Sequence, residues 1–223
     1  MPLADGRRAH IVFTDRGDGD LRIGAPPHER DRWRDAVAPG EWTALHQVHG
    51  ARVVEVVAPG QHHGVEADAA ITAVSDAPIA VQTADCAPIA LVADGGAVGV
   101  VHAGWRGLLA GVVAETAGRL ALLADGPYRA VLGPCIHAEC YEFSEPDLAG
   151  LADRFGPSVR ARTSDGAPAL DVPAAVAAAT SELGIELDLT PSGCTACGGR
   201  WFSHRARAEP ERQVLVAWID HPR

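Results

Sequence analysis

Three short polar islands interrupt the apolar, strand-like runs of this 223-residue chain: HQVHG at 46–50, TADCAP at 83–88 and VHAGWRG at 101–107. Each carries a nitrogen or sulfur ligand, namely His49, Cys86 and His102. A catalytic zinc takes about three protein ligands of this kind and keeps one position for water or substrate. A single histidine in apolar surroundings is more often a satisfied core residue, so the argument rests on the coincidence of three islands. No close CxxC or HExxH spacing joins them, and the fold has to assemble them.

The elements that would do so show in the hydrophobic pattern. Residues 79–82, 88–93 and 97–101 are short apolar runs of buried-strand length, and the polar groups of 83–86 between them would be costly to bury without partners. His102 ends one run just before a segment of helical apolar spacing, 105–124. Gly104 and Gly107 permit close backbone approach there, and the Arg106 guanidinium with helix N-terminal amides favours an anion. Further strands are expected near 9–13, 42–47, 52–57, 68–72, 128–132 and 213–219. Helices are expected at 28–37, 145–155 and 172–184, the last capped by Asp171 with Pro173 in its first turn. The mixed order favours a single α/β (α+β) domain over 1–223, built of layered mixed sheets flanked by helices.

All 19 basic residues are Arg, and the chain has neither Lys nor Asn. A Schiff-base lysine, a phosphate-loop lysine and a Cys-His-Asn triad are therefore excluded. Any phosphate would have to be held by Arg, backbone amides or a helix terminus, with Arg106 and Arg16 as the candidate side chains, although a lone Arg is most often a solvated surface residue. Asp85, beside Cys86, offers an acid/base or a ligand-orienting carboxylate, or only a turn cap. Gln47 and Trp105 offer contacts to a bound ligand or simple packing.

Several of these motifs occur together, in order, in one known family. QVHG at 47–50, ADC at 84–86, HAGWRG at 102–107, Gly133-Pro134, CYE at 140–142, Cys194-Thr195 and FSHR at 202–205 resemble the YfiH/laccase-domain family, also called the multicopper polyphenol oxidase family. The resemblance spans about residues 10–220. It implies an α-β-β-α sandwich and a zinc-dependent purine nucleoside phosphorylase acting on adenosine, inosine, guanosine and methylthioadenosine, with adenosine deaminase activity. It also implies that His49, Cys86 and His102 are the metal and catalytic residues. The segment 17–24 is shorter than the family's Gly-rich stretch, and Glu211-Arg212 replaces its usual Gly-Arg.

Three rivals accompany this reading. Cys86 could act as a thiolate nucleophile with His102 or His49 as base, a peptidoglycan-editing amide hydrolase in the manner of some family members. A copper oxidase is the second, although three clustered ligands are few for an electron-transfer chain, so zinc is favoured over copper. A non-enzymatic protein with structural zinc is the third.

A net charge of −10 argues against nucleic-acid or basic membrane contacts. With no apolar run of about 20 residues and no signal-like N-terminus, a cytoplasmic protein is expected. Small-molecule nucleosides and phosphate are then the expected partners. Five cysteines suggest free thiols rather than a disulfide framework. A second zinc on Cys194 and Cys197 would need two more ligands from Cys135, His137 and Cys140.

Overall fold

The computed structural model describes residues 1–221; the last two residues of the expected 1–223 unit lie outside them. In chain order the first half comprises β1 (Ala9–Phe13), α1 (Pro27–Val37), β2 (Thr43–Ala44), β3 (Val53–Glu55), β4 (Ala69–Thr72), β5 (Ile79–Thr83), β6 (Ala87–Ala93) and β7 (Ala97–Ala103). The second half comprises α2 (Trp105–Leu109), α3 (Val112–Leu120), β8 (Tyr128–Leu132), α4 (Glu145–Phe155), β9 (Arg160–Arg162), β10 (Pro168–Leu170), α5 (Val172–Ser181), β11 (Glu186–Asp188), α6 (His204–Arg207) and β12 (Gln213–Ile219).

Two mixed sheets form the centre. The first has order β1-β12-β5-β2, with only β2 and β5 parallel; the second has order β11-β8-β6-β7-β4-β3, parallel at its two edges. Side chains alternate across the second sheet, as a strand period of two requires. Ile89, Leu91 and Val101 pack with Leu108, Val112, Leu148 and Val176 of the helices. Ala90, Val92, Val98 and Val100 turn the other way, onto Ile79, Val81, Leu215 and Ala217 of the first sheet. On the outer face of the first sheet, Trp33 and Val37 of α1 cover Ala80, Val216 and Trp218. The layers are therefore α-β-β-α, as expected. Each fully buried Leu or Ile contributes roughly 1.5–3 kcal/mol by leaving water.

The expected helix 105–124 is two helices. Gly111, with φ of 82°, breaks it after α2, because a left-handed residue cannot continue a right-handed helix. Asp171 caps α5 as expected, accepting from the Ala174 amide at 2.8 Å. The β9–β10 hairpin, β11 and α6 carry no clear periodicity and were not anticipated. Among the described residues no helix is long and apolar enough to cross a membrane.

Candidate metal centre and active site

One end of the sandwich gathers the three polar islands. β2 and β5 run parallel in the first sheet and both leave it at that end, crossing to β3 and β6 of the second. The first crossing contains His49 and the second Cys86. β7 finishes there too, its end paired with the start of β6 (Ala87 with Ala103, Pro88 with His102). His102 continues the Val98–Val100 face turned toward the first sheet, under both crossings.

The ligand atoms of His49, Cys86 and His102 consequently lie within 4.8 Å of one another. Cys86 Sγ is 3.8 Å from His49 Nε2, and the two imidazoles meet edge to face with centroids 4.8 Å apart. His102 is buried, Cys86 is half-buried and His49 is exposed, so the group opens outward. Gly104 is required by this closeness: a Cβ there would stand 2.8 Å from His49 Cδ2 and 3.2 Å from Cys86 Sγ.

Asp68, which sequence reasoning missed, holds the group together. Strand register places Ala69 opposite Val101, so Asp68 faces His102. Its Oδ1 lies 2.8 Å from His102 Nδ1 and accepts the His49 amide at 2.9 Å. Its Oδ2 accepts the amides of Gly50 at 2.8 Å and Val48 at 3.3 Å. These bonds stabilise a strained turn, since His49 has φ of 61°, uncommon for a residue with a side chain. Burial opposes ionisation of Asp68, but His102 and the Gly50 and Val48 amides outweigh it and hold the carboxyl below its ordinary value. An Nδ1–H donated to Asp68 leaves His102 Nε2 free for a metal, the arrangement common around histidine ligands.

Burial alone would push the Cys86 thiol up, yet the facing imidazoles of His102 and His49 overcome it and bring it down to about 6. Burial likewise disfavours a charged His102, but the Cys86 thiolate and Asp68 raise it to about 9. Both shifts run in the direction that favours a thiolate facing an imidazolium. Two imidazoles, a thiolate and an orienting carboxylate fit a metal that prefers nitrogen and sulfur, whose binding would displace the shared proton.

A cavity of about 470 Å³ opens over the group, within the size of small-ligand sites. Gln47, Asp85, Trp105 and Arg106 line it, as do Tyr141, His204, Arg205 and Arg212. Gln47 is committed to structure, its side chain pairing with both backbone groups of Gln82 at 2.8 Å. Asp85 has φ of 99° and both carboxylate oxygens engaged: Oδ1 by Thr195 Oγ1 and Oδ2 by the Arg205 amide, each at 2.6 Å. It serves as a brace between three segments rather than as a free base. Arg106 stacks over Trp105, 4.3 Å from the ring centroid.

Arg16 is not brought to the cavity. Its guanidinium donates to Gly199 O, Trp201 O and Glu209 Oε1 and lies over Phe202. Arg205 and Arg212 line the cavity instead. Arg205 lies over Tyr141 and donates to Glu142 O, and Arg212 donates to Glu209 O and Glu211 O. Burial and the nearby Cys86 charge push the Tyr141 hydroxyl up to about 12, so it stays a proton donor at neutral pH.

Comparison with known proteins gives a concordant picture. A family model described as multi-copper polyphenol oxidoreductase laccase matches residues 27–220. A purine nucleoside phosphorylase of Streptomyces coelicolor is 36% identical, with 95% of this chain and 96% of that protein covered. A purine nucleoside phosphorylase of Deinococcus radiodurans is 33% identical over 92% of this chain and 80% of its own length. Among solved structures, YlmD from Geobacillus stearothermophilus superposes with a TM-score of 0.75 at 26% identity, covering 99% of this chain and 94% of that one. A Neisseria meningitidis protein, NMB0706, shares the fold with a TM-score of 0.81 at 24% identity, covering 99% and 97%.

Proposed function

Because the chain belongs to the multi-copper polyphenol oxidoreductase laccase family, we propose that it is a zinc-dependent purine nucleoside phosphorylase with adenosine deaminase activity. Adenosine, inosine, guanosine and methylthioadenosine are the proposed substrates, and the proposed compartment is the cytoplasm. The observation that carries this reading is the meeting, in one cavity, of the His49–Cys86–His102 group with Arg106, Arg205 and Arg212. A chain of net charge −10 has concentrated positive charge where a dianionic phosphate would sit. The names of the relatives agree with that chemistry.

His49 Nε2, Cys86 Sγ and His102 Nε2 would hold the zinc, which supplies Lewis-acid charge when bound. In phosphorolysis a phosphate oxygen bonds to ribose C1′ while the bond from C1′ to the purine nitrogen breaks, its electron pair leaving with the base. The three guanidiniums orient the phosphate and offset its charge as it approaches. Tyr141, neutral and placed on the cavity wall, offers an O–H to the departing purine. Trp105 gives the base an apolar ring to lie against.

A second reading is favoured by one specific observation. Cys86, His102 and Asp68 also form a nucleophile, base and orienting carboxylate, the arrangement of a cysteine amide hydrolase. Peptidoglycan precursors are the substrate class for that alternative.

Incubating zinc-loaded protein with adenosine, with and without phosphate, distinguishes the two. Adenine and ribose 1-phosphate formed only with phosphate, with inosine as a slower phosphate-independent product, support the phosphorylase. Release of amino acid from a peptidoglycan precursor by metal-free protein, abolished by alkylating Cys86 and with no nucleoside turnover, supports the hydrolase.

A further inference from the structure

A second group of ligands lies outside the cavity and plays no part in the reaction above. The 3-10 turn Ala138–Cys140 meets the CTAC segment at 194–197. The sulfurs of Cys140, Cys194 and Cys197 and a carboxylate oxygen of Glu139 all lie within 4.8 Å of one another. Cys140 Sγ is 3.4 Å from Cys197 Sγ, and Cys197 Sγ is 3.7 Å from Glu139 Oε1. Two sulfurs bound to one tetrahedral zinc sit about 3.8 Å apart, given Zn–S bonds of about 2.3 Å. A disulfide would place them at about 2.05 Å.

We propose that Cys140, Cys194, Cys197 and Glu139 form a second, structural zinc site of three thiolates and one carboxylate. Cys194 and Cys197 have the two-residue spacing that zinc-binding turns use. Gly198 and Gly199, with φ of 67° and 70°, turn the chain back immediately after. Cys135 and His137, weighed as ligands from the sequence, are not in the group. Cys135 is instead buried, and its backbone registers the two segments: its amide donates to Gly193 O at 3.1 Å and its carbonyl accepts from Thr195 N at 3.0 Å.

The surroundings suit an ion more than they suit packing. Glu139 and Cys197 are exposed, so an ion can enter, while an exposed thiol gains little from burial. Two guanidiniums, both paired with Glu209, hold the backbone of the CTAC segment and the glycines after it. Arg207 donates to the carbonyls of Thr195 and Ala196, and Arg16 to that of Gly199. Closing this site would fix Thr195, whose hydroxyl holds Asp85 at 2.6 Å. The second ion would thus brace the loop that carries Cys86 without touching substrate.

The test uses full-length Cys86→Ala protein, in which the first site has no thiolate. Metal-free, reduced protein is titrated with Co²⁺ and then back-titrated with Zn²⁺. A thiolate-to-cobalt charge-transfer band that saturates at one equivalent and is displaced by Zn²⁺ is expected. Adding Cys140→Ser and Cys197→Ser should abolish the band, while Glu139→Gln should keep it and weaken zinc binding about tenfold. Zinc should also raise the melting temperature of C86A protein. Absence of the band in folded C86A protein would overturn the proposal, as would a Cys140–Cys197 disulfide found by mass after purification under reducing conditions.

Discussion

His102 Nδ1 and the fully buried Asp68 carboxylate meet at 2.8 Å, and the same carboxylate collects the amides of residues 48–50. One side chain therefore orients a histidine at a strand end and shapes the turn that presents another. Asp68→Asn retains size but loses the charge and part of the accepting capacity. Zinc affinity is expected to fall roughly 10–100-fold, measured by competition with a chromophoric chelator. Wild-type affinity in a folded D68N protein would show that the carboxylate does not position the ligands.

Gly104→Ala inserts a methyl 2.8 Å from the His49 ring and 3.2 Å from Cys86 Sγ. Crowding of this sort typically costs about 1–3 kcal/mol, and here the strain falls on two ligands at once. Zinc binding and turnover should both drop at least about tenfold, and because the same clash exists without metal, the melting temperature of metal-free protein should also fall by roughly 2–4 °C for each kcal/mol lost. Calorimetric titration of the variant with zinc would check this, and unchanged affinity would mean that the backbone yields instead.

Arg106, Arg205 and Arg212 face the cavity, whereas Arg16 is bonded to Glu209 and the 199–201 loop. Arg205→Ala and Arg106→Ala should each raise the KM for phosphate by about tenfold, with a smaller effect on the KM for nucleoside. Arg16→Ala should leave the phosphate KM within about twofold and lower thermal stability. Steady-state kinetics with phosphate as the varied substrate separates these cases.

Glu209 ties Arg16, Arg207 and the Ser203 amide together. Burial opposes its charge, but the Ser203 amide and the two guanidiniums prevail and bring its carboxyl down to about 2. A carboxyl depressed in the folded state stabilises above its ordinary value near 4.5, and that stabilisation is lost as pH falls toward 2. Glu209→Gln should therefore cost about 1–3 kcal/mol at pH 7, with the difference from wild type shrinking below pH 4.5. Denaturant unfolding at a series of pH values would show it; a pH-independent difference would point to packing alone.

His49, Cys86 and His102 were readable because each sits in a polar island flanked by apolar strands, and burying such groups idle is costly. The sandwich was readable for a related reason: its central strands are continuous apolar runs. Asp68 was not picked out, although it is a charged residue opening the apolar strand segment 68–72. Its importance depends on register with β7, which is a long-range fact. Arg205 and Arg212 were missed because their segment reaches the cavity through the pairing of Gln213 with Thr83, a contact between residues 130 positions apart. Arg16 looked equivalent to them by residue type; only the Glu209 contact distinguishes it. Helix 105–124 failed at Gly111, where the apolar period continues across a residue whose backbone does not.

Zinc content and phosphate-dependent adenine release, measured on the same samples of wild type, His49→Ala, Cys86→Ala and His102→Ala, bear most directly on the proposed chemistry. Each substitution should lower cavity-site zinc affinity and phosphorolysis together, by at least about 100-fold in rate, in protein that remains folded. Phosphorolysis surviving in folded C86A protein, or undiminished in wild type stripped of metal, would contradict a metal-dependent phosphorylase centred on these three residues.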